Sequence, residues 1–528
     1  MHGSTTARCR CIMSHTEMKT RPNVVFILAD DYGFRDVGYQ GSTVIQTPTL
    51  DRLAYDGVRL NNYYAQPLCA PSRGTLLSGR YQIYTGLQHG AILACQPNGL
   101  PEEIPTLADI LRDAGYATYM VGKWHLGFYK EQLLPTRRGF ESFFGSLTAE
   151  LDYYDYVSCL EISESPPLIS PSHDICEMSE YTKYMPKYDK NIKERFCGYD
   201  LRSNESVALK YTGQYSTHLF TQKAIDLIRS HSTNQETKPF FLYLSYQAVH
   251  YPMEVPEAYT KPYASIQDET RRIYAGMTAC MDEGVLNVTQ ALQEYGLWNN
   301  TILIFSSDNG GDVNAGGNNW PLRGEKESIW EGGIRSVGFV HSPLIKRRGT
   351  VNNGLMHMSD WFPTILGLAG ASTVGLNVDG FDVWKSISHG EPSPRKELLH
   401  NIDPLLPKRG SRLNISRFDN RVQAAIRVGN WKLITGDPLY GSWFAPPEDT
   451  ETHDIADPDQ ESKNIWLFDI SKDPSETTDL FESHQDVAIG MLNKLAEYQA
   501  AAVPARYPDY DLRCDPKDHD GAWGPWVP

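Results

Sequence analysis

The chain has 528 residues, of which 41% are hydrophobic and 22% charged, a composition typical of a globular protein. Its 49 basic and 65 acidic residues give a formal net charge of -16, which argues against nonspecific binding to nucleic acid or anionic membranes. No stretch approaches the ~20 consecutive apolar residues of a membrane span. We therefore expect no nucleic-acid partner and no membrane span, and the length predicts one large domain with a smaller one.

Four short β-rich runs are each followed by polar or ionisable side chains. Apolar runs of this length predict buried strands. Residues 1–20, which precede the first run, are expected to form a disordered N-terminal extension. The runs and the polar residues after them are Val24–Ala29 with Asp30 and Asp31, Tyr116–Val121 with Lys123 and His125, Phe240–Ser245 with His250, and Thr301–Phe305 with Asp308 and Asn309.

Helical segments lie between these runs. The segment Thr106–Ala114 has a threonine at its start, Asp109 three residues later and Gly115 as its stop, which are capping signals at both ends. Strands that alternate with helices predict an α/β layered fold. Ligands of such sheets bind beyond the carboxyl ends of the strands, so the four polar segments are predicted to form one site.

The pattern changes to short strands and turns after about residue 395. Ala424–Arg427 and Trp431–Thr435 predict an antiparallel hairpin, and Trp466–Ile470 predicts a further strand. The apolar spacing in Asp486–Ala502 suits a packing helix. We therefore divide the chain into an extension at 1–20, a catalytic domain at 21–395 and a small α+β domain at 396–528.

One motif carries specific chemistry. Cys69-Ala70-Pro71-Ser72-Arg73, followed by Leu77-Ser78-Gly79-Arg80, resembles the C-x-P-S-R and L-x-G-R signature of the type I sulfatases. In that family the cysteine is oxidised to Cα-formylglycine by the formylglycine-generating enzyme. The hydrated aldehyde is a geminal diol, so one hydroxyl can attack sulfur and the other can later collapse to expel sulfate. Pro71 suits the first turn of a helix, which predicts residue 69 at a helix N-terminus, where an anion is favoured.

The residues after two of the predicted strands match the metal ligands of the same family. Asp30, Asp31, Asp308 and Asn309 offer hard oxygen donors, which suit calcium or magnesium rather than zinc or copper. Isolated pairs of this kind usually cap turns. The resemblance implies one calcium ion held by these four residues together with the modified Cys69.

The segment Gly122–Gly127 resembles the second sulfatase signature, G-K-W-H-x-G. By this resemblance Arg73, Lys123 and Lys326 contact the sulfate or the formylglycine. It also implies that His125 takes a proton when sulfate is eliminated, and that His250, with Lys326 as a possible partner, protonates the leaving alcohol.

The similarity runs from about Arg21 to Lys517. It implies the alkaline-phosphatase-like sulfatase fold, a large mixed sheet flanked by helices with a smaller C-terminal α+β domain that contains an antiparallel sheet. The segments Ser158–Asp200 and Lys408–Asn420 depart from the pattern and are expected to be loops near the cleft.

Within the family, the chain is most similar to the N-acetylgalactosamine-4-sulfatase group, arylsulfatases B, I and J. This similarity implies hydrolysis of N-acetylgalactosamine 4-sulfate in dermatan or chondroitin sulfate, a sulfated glycosaminoglycan. Alternatives are an arylsulfatase of other sugar specificity, a phosphatase or phosphodiesterase of the same superfamily, and a glycan-binding pseudoenzyme in which Cys69 stays a thiol. The single-metal ligand set disfavours the phosphatase.

Nine cysteines and four N-glycosylation sequons favour a secreted protein. The sequons are at Asn204, Asn287, Asn299 and Asn414, of which Asn299 is the best candidate because a surface turn is predicted there. The resemblance implies a disulfide between Cys95 and Cys514. One pair is expected among Cys159, Cys176 and Cys197, with the pairing open.

The resemblance also implies a lysosomal or secreted protein that matures in the endoplasmic reticulum, but residues 1–20 lack the apolar core of about 7–15 residues of a signal peptide. Two explanations are open. Either the natural chain carries an apolar leader upstream of Arg21, or this form stays in the cytosol with a thiol at position 69. We favour the first, because Val24 begins a predicted core strand and a cleaved leader precedes that strand in the matching enzymes.

Overall fold

The computed structural model describes residues 21–163, 192–234, 238–449, 451–458 and 460–528. The expected extension at 1–20 and Cys176 lie outside these ranges. Within them, no helix is both long enough and apolar enough to cross a membrane.

The strands of the described ranges form one large sheet, one small sheet and two pairs. They are β1 (Asn23–Ala29), β2 (Val58–Leu60), β3 (Tyr63–Tyr64), β4 (Ala117–Gly122), β5 (Ser142–Gly145), β6 (Val157–Ser163), β7 (Ile192–Tyr199), β8 (Arg202–Ser203), β9 (Ser206–Val207), β10 (Phe240–Ser245), β11 (Thr301–Ser307), β12 (Gly338–His341), β13 (Thr350–Asn352), β14 (Met356–His357), β15 (Glu397–Asp403), β16 (Gln423–Val428), β17 (Trp431–Thr435) and β18 (Ile465–Asp469).

The α-helices range from single turns to a helix of 26 residues. They are α1 (Pro48–Asp56), α2 (Cys69–Ser78), α3 (Leu107–Asp113), α4 (Ser216–Thr233), α5 (Glu257–Thr260), α6 (Glu269–Glu294), α7 (Glu331–Ile334), α8 (Trp361–Ala369), α9 (Trp384–His389) and α10 (Gln485–Ala501).

The large sheet has ten strands in the order β13-β2-β12-β11-β1-β10-β4-β5-β8-β9. Strands β11, β1, β10, β4 and β5 are parallel, whereas β12 and β8 pair antiparallel on either side of them. The four predicted buried runs are the four strands β11, β1, β10 and β4, which are adjacent. The predicted α/β fold with a large mixed sheet is therefore confirmed.

Alternate residues of the central strands pack against helices on opposite faces of this sheet. Val25 and Ile27 of β1 belong to the same cluster as the apolar side of α6, while Val24 and Phe26 belong to the cluster that includes α8. All seven residues of β1 are buried. Burial on both faces explains why the central strands read as continuous apolar runs.

Helix α3 forms as its sequence predicts. Thr106 is its N-cap, and the Thr106 and Asp109 side chains each accept a hydrogen bond from the other's backbone N–H in a capping box. Gly115, which follows the helix, has a φ of 83°, a left-handed conformation that glycine adopts without a steric penalty. The chain then enters β4 directly.

The C-terminal part contains a four-stranded antiparallel sheet, β15-β16-β17-β18. The predicted hairpin is β16 and β17, and the predicted helix is α10, which packs on one face of this sheet. Strand β15 begins at Glu397, close to the predicted domain boundary at 395.

The last segment, residues 502–528, leaves α10 and returns to the large sheet. The backbone N–H of Asp511 donates to the carbonyl of Cys95, and Trp523 and Trp526 pack against Phe128. A disulfide joins Cys95 to Cys514.

The expectation of a loop throughout Ser158–Asp200 is wrong at both ends of that segment. Strands β6 and β7 form an antiparallel pair there, in which Cys159 lies opposite Cys197. These two cysteines form a disulfide, so the cross-link fixes the register of a hairpin that the apolar pattern alone did not reveal.

Candidate active site

The carboxyl ends of the central strands bring the candidate residues to one edge of the large sheet. Leu28 of β1 is level with Ser245 of β10 and with Ser306 of β11, and Ser245 is level with Gly122 of β4. The residues that follow these four positions therefore meet in space, as the strand pattern predicts.

Cys69 is the first residue of α2. The preceding residue, Leu68, is extended and provides no side-chain cap, so the positive end of the helix dipole is available to an anion. Pro71 lies in the first turn, where its missing N–H costs no helical hydrogen bond.

The Cys69 side chain is buried against two aspartates. Its Sγ lies 3.2 Å from Oδ1 of Asp30 and 3.9 Å from Oδ1 of Asp31. Asp31 has a left-handed φ of 55°, which breaks the alternation of an extended strand and lets both carboxylates contact the same thiol. Burial raises the pKa of the Cys69 thiol, and the charges of Asp30 and Asp308 raise it further.

Arg73, one helical turn after Cys69, holds Asp308. Its Nε and Nη2 donate to Oδ2 of Asp308 at 3.0 and 2.7 Å, and Nη1 donates to Oγ of Ser245 at 2.6 Å. Lys123 Nζ donates to the remaining oxygen, Oδ2, of Asp30. The Arg73, Lys123 and Asp308 side chains are all essentially inaccessible to solvent.

Lys326 and His250 lie beside the other carboxylate oxygen of Asp31, Oδ2. Lys326 Nζ is 2.6 Å from Oδ2 of Asp31 and 3.2 Å from Nε2 of His250. His250 Nδ1 is 2.7 Å from the carbonyl oxygen of Tyr251, to which it donates, so Nε2 accepts from Lys326. Burial lowers the pKa of His250, and the charges of Lys326 and Lys123 lower it further.

Several of these side chains can hold a metal ion. One ligand atom each from Asp30, Asp31, Cys69 and His250 lies within 4.8 Å of the other three. Asn309 adds an oxygen: its Nδ2 donates to Asp31, but its buried Oδ1 has no hydrogen-bond partner among the described residues. Carboxylate and amide oxygens at one point are the donors that a hard divalent cation requires, so the residues fit such an ion.

His125 is buried near the same side chains, within reach of the charges of Lys123 and Arg73. It has a left-handed φ of 53°, and its Nε2 is 3.0 Å from the carbonyl oxygen of Ile92. Its buried Nδ1 lacks a partner in the described part of the chain. Burial lowers the pKa of His125, and Lys123 and Arg73 add to that effect, so the imidazole is neutral and one ring nitrogen remains available.

Two residues at the site were not identified from the sequence as site residues. Ser245 fixes the Arg73 guanidinium, but a serine at the end of a strand is too common to be informative. Tyr251 stacks on His250 with ring centroids 4.4 Å apart and remains 41% exposed. Tyr251 could have been identified from the sequence as an aromatic residue directly after the candidate His250.

The four sequons differ in accessibility. Asn204, Asn299 and Asn414 are exposed, whereas Asn287 is half-buried inside α6. Asn299 lies in the turn before β11, where the sequence predicts it.

Comparisons with known proteins agree with this geometry. The family model described as Sulfatase matches residues 22–371. Mouse arylsulfatase J is 46% identical over 517 residues, which cover 96% of this chain and 80% of that protein. Human N-acetylgalactosamine-6-sulfatase is 29% identical over 506 residues, covering 92% and 87%. The solved structure of Ps i-CgsB in complex with k-i-k-neocarrahexaose has a TM-score of 0.71 and 26% identity, covering 92% of this chain and 94% of that one.

Proposed function

Since this chain belongs to the type I sulfatase family, whose members hydrolyse sulfate esters, we propose that it removes the 4-sulfate of N-acetylgalactosamine in dermatan or chondroitin sulfate. The observation that carries the proposal is the position of Cys69, at the start of α2 and surrounded by carboxylates and cations.

Cys69 is the proposed source of the nucleophile. Converted to formylglycine, it would supply a hydroxyl of the hydrated aldehyde to attack sulfur. Because Cys69 begins α2, a sulfate that reaches it also reaches the positive end of the helix dipole.

Asp30, Asp31, Asp308 and Asn309, with the modified Cys69, would hold a calcium ion, which when bound polarises the sulfate. The unpartnered Oδ1 of Asn309 supports this assignment, because a cation gives that buried oxygen a partner. The charges support it as well. Three carboxylates face three cations, so the site without an ion has no surplus of positive charge to offer a sulfate.

Arg73, Lys123 and Lys326 bind and orient the sulfate in this proposal. Lys123 and Lys326 are held by Asp30 and Asp31, so their ammonium groups are preorganised rather than mobile. Such preorganised donors stabilise charge that develops in a transition state without further rearrangement. Arg73 is bound to Asp308 and Ser245, so its guanidinium group is held in a fixed position as well.

His250 and Lys326 together deliver a proton to the leaving alcohol. The contact between Lys326 Nζ and His250 Nε2 supports a shared proton, since neutral His250 has no proton on Nε2 to give. An anionic substrate next to the pair would favour the protonated imidazole. His125, with an unpartnered Nδ1, accepts the proton when sulfate is eliminated.

The sugar specificity rests on likeness to relatives. Both the resemblance to the 4-sulfatase group and the identity to N-acetylgalactosamine-6-sulfatase favour a galactosamine sulfate. Sulfate release from oligosaccharides that end in N-acetylgalactosamine 4-sulfate or in N-acetylgalactosamine 6-sulfate distinguishes the two positions. We expect release of sulfate from the first; release from the 6-sulfate alone would reject the proposed position.

Cys69→Ala tests the proposed nucleophile. We expect it to abolish turnover of an aryl sulfate while the melting temperature changes little, because Cys69 donates only to the two aspartates. Cys280→Ala is the matched control, since Cys280 is the other buried free cysteine of the described ranges and lies in α6.

Mass spectrometry of the tryptic peptide from Leu60 to Arg73 completes the test. Secreted, active protein should carry an aldehyde in place of the CH2–SH group. A thiol at position 69 in such a preparation would contradict the proposed chemistry, and turnover by Cys69→Ala would do the same.

A further inference from the structure

A second cleft lies at the edge of the four-stranded sheet. It has a volume of about 520 Å³ and is lined by residues of both parts of the chain. Trp320 and Arg323 come from the loop before Lys326, Trp443 from the segment between β17 and β18, and Trp466 from β18 itself. Ligand pockets have volumes of roughly 300–1,000 Å³ and are mainly apolar and aromatic, so this cleft is large enough for an organic ligand.

Arg323 and Trp443 are held in place. The Arg323 guanidinium carbon lies 3.6 Å from the ring centroid of Trp330 and 4.5 Å from that of Trp443. Arg323 also donates to Asp457 at 2.6 Å, and Trp443 Nε1 donates to the carbonyl of Ser475 at 2.6 Å. The aromatic wall is therefore rigid, which lowers the entropic cost of binding a ligand.

Trp466 adds a polar group that lacks a partner. Its side chain is 1% exposed, and among the described residues its Nε1 has no hydrogen-bond acceptor. Because this N–H is itself buried, Trp466 supports the wall through its ring, whose centroid lies 5.5 Å from that of Trp330.

The charges of the cleft exclude a sulfate as its main ligand. Arg323 is paired with Asp457, and Lys463 Nζ lies 3.3 Å from Oδ2 of Asp479. Glu476 also lines the cleft, but it is buried and paired with Lys432, so the described lining offers a sulfate no uncompensated positive charge. Carboxylates and a guanidinium beside indole rings suit an uncharged sugar, whose hydroxyls bond to the polar groups while its C–H face packs on the aromatic faces.

We propose that this cleft binds an unsulfated saccharide unit of a glycan chain, separately from the sulfate site. The inference rests on the proposed function, because the glycan that carries the sulfate ester is the source of such units. Binding here would retain a long chain on the enzyme after one sulfate has been removed.

The test uses full-length protein with Cys69→Ala, which cannot turn over substrate, and a chemically desulfated chondroitin hexasaccharide as the probe. Isothermal titration calorimetry should detect binding, and Trp443→Ala with Trp320→Ala should weaken it by about ten-fold or more, as for other buried aromatic contacts. Trp443→Phe keeps an aromatic ring and should retain most of the affinity. Trp384→Ala removes a half-buried tryptophan of α9, outside the cleft, and should change nothing.

Hydrolysis of a small aryl sulfate by the same tryptophan variants with Cys69 intact provides a separate readout. This activity should be the same in the variants as in the parent, because the small substrate does not reach the cleft. Absence of the activity in the parent protein itself would count against the proposed function and not against the cleft. Absence of hexasaccharide binding in the parent, or unchanged binding after both alanine substitutions, would overturn the inference.

Discussion

Each charge of the candidate active site is compensated by a buried partner. Removal of one member of a buried ion pair leaves an uncompensated charge and costs about 3–5 kcal/mol. Substitutions among these residues therefore change stability as well as activity. A test of a single residue needs either a neutral side chain or a comparison of one variant on two classes of substrate. The charged residues concerned are Asp30, Asp31 and Asp308 with Arg73, Lys123 and Lys326.

Asn309→Ala tests the proposed calcium site through the one proposed ligand side chain that is neutral. At a calcium concentration about 100 times the parent's Kd, bound calcium should stabilise the parent by about 2.7 kcal/mol, and the variant should lose most of this gain because one donor oxygen is missing. Melting curves with calcium and with a chelator measure the difference.

Asn23→Ala is the control for Asn309→Ala, since Asn23 is a buried asparagine at the opposite end of the same strands, where it accepts from the N–H of Phe240. It should lower stability equally with and without calcium. A full calcium-dependent shift in Asn309→Ala would remove Asn309 from the ligand set.

His250→Gln should distinguish proton transfer from sulfate binding. General acid catalysis contributes about 100- to 10,000-fold, and it matters most for an alcohol, which leaves poorly without a proton. We expect kcat/KM to fall by this factor on sugar sulfates and much less on activated aryl sulfates, for which a phenolate leaves readily. Equal losses on both classes would assign His250 to binding alone.

Most of the candidate side chains at this site were predicted from the sequence because they stand in short motifs or directly after strands. The partners that position them were not. The carbonyl oxygen of Ile92, which contacts His125, is a backbone atom and leaves no trace in the residue type. Ser245 and Tyr251 carry information only once the fold has brought them to Arg73 and His250.

Within the large sheet, prediction of the strands depended on their length. The strands β1, β4, β10 and β11, all of which were predicted, have six or seven residues. The helices α3 and α10 were located within a residue or two. The strands β2, β8, β9 and β13 have two or three residues, too few for a hydrophobic period to be recognised. The sequence therefore predicts the centre of the large sheet and misses its edges.

The two disulfides should contribute unequally to stability. Cys95 and Cys514 are separated by 419 residues and Cys159 and Cys197 by 38, so chain entropy assigns about 6 and about 4 kcal/mol to them. The double variant Cys95→Ala/Cys514→Ala should accordingly unfold at lower urea concentration than Cys159→Ala/Cys197→Ala. The opposite order would mean that the β6–β7 hairpin, rather than the tail, limits stability.

At the scale of the whole molecule, the arrangement depends on contacts between residues far apart in the sequence. Strand β1 pairs with β10 and β11, which follow it by more than two hundred residues, and residues 502–528 return to pack beside Phe128. Patterns within a short window predict strands but carry no information on which strands become neighbours. The resemblance to a known family implied a large mixed sheet, whereas the order of its strands is given by the structure.

The late synthesis of β11 sets a time limit on the proposed oxidation of Cys69. Thr301 is made about 230 residues after Cys69, which at ~5–20 residues per second corresponds to roughly 12–46 s of synthesis. During this interval β1 lacks its neighbour β11, and Asp308 is not yet present to hold Arg73. Once the sheet has closed, Cys69 is only 3% exposed and out of reach of another enzyme. The proposed oxidation therefore competes with folding, and the yield of active protein depends on which of the two is faster.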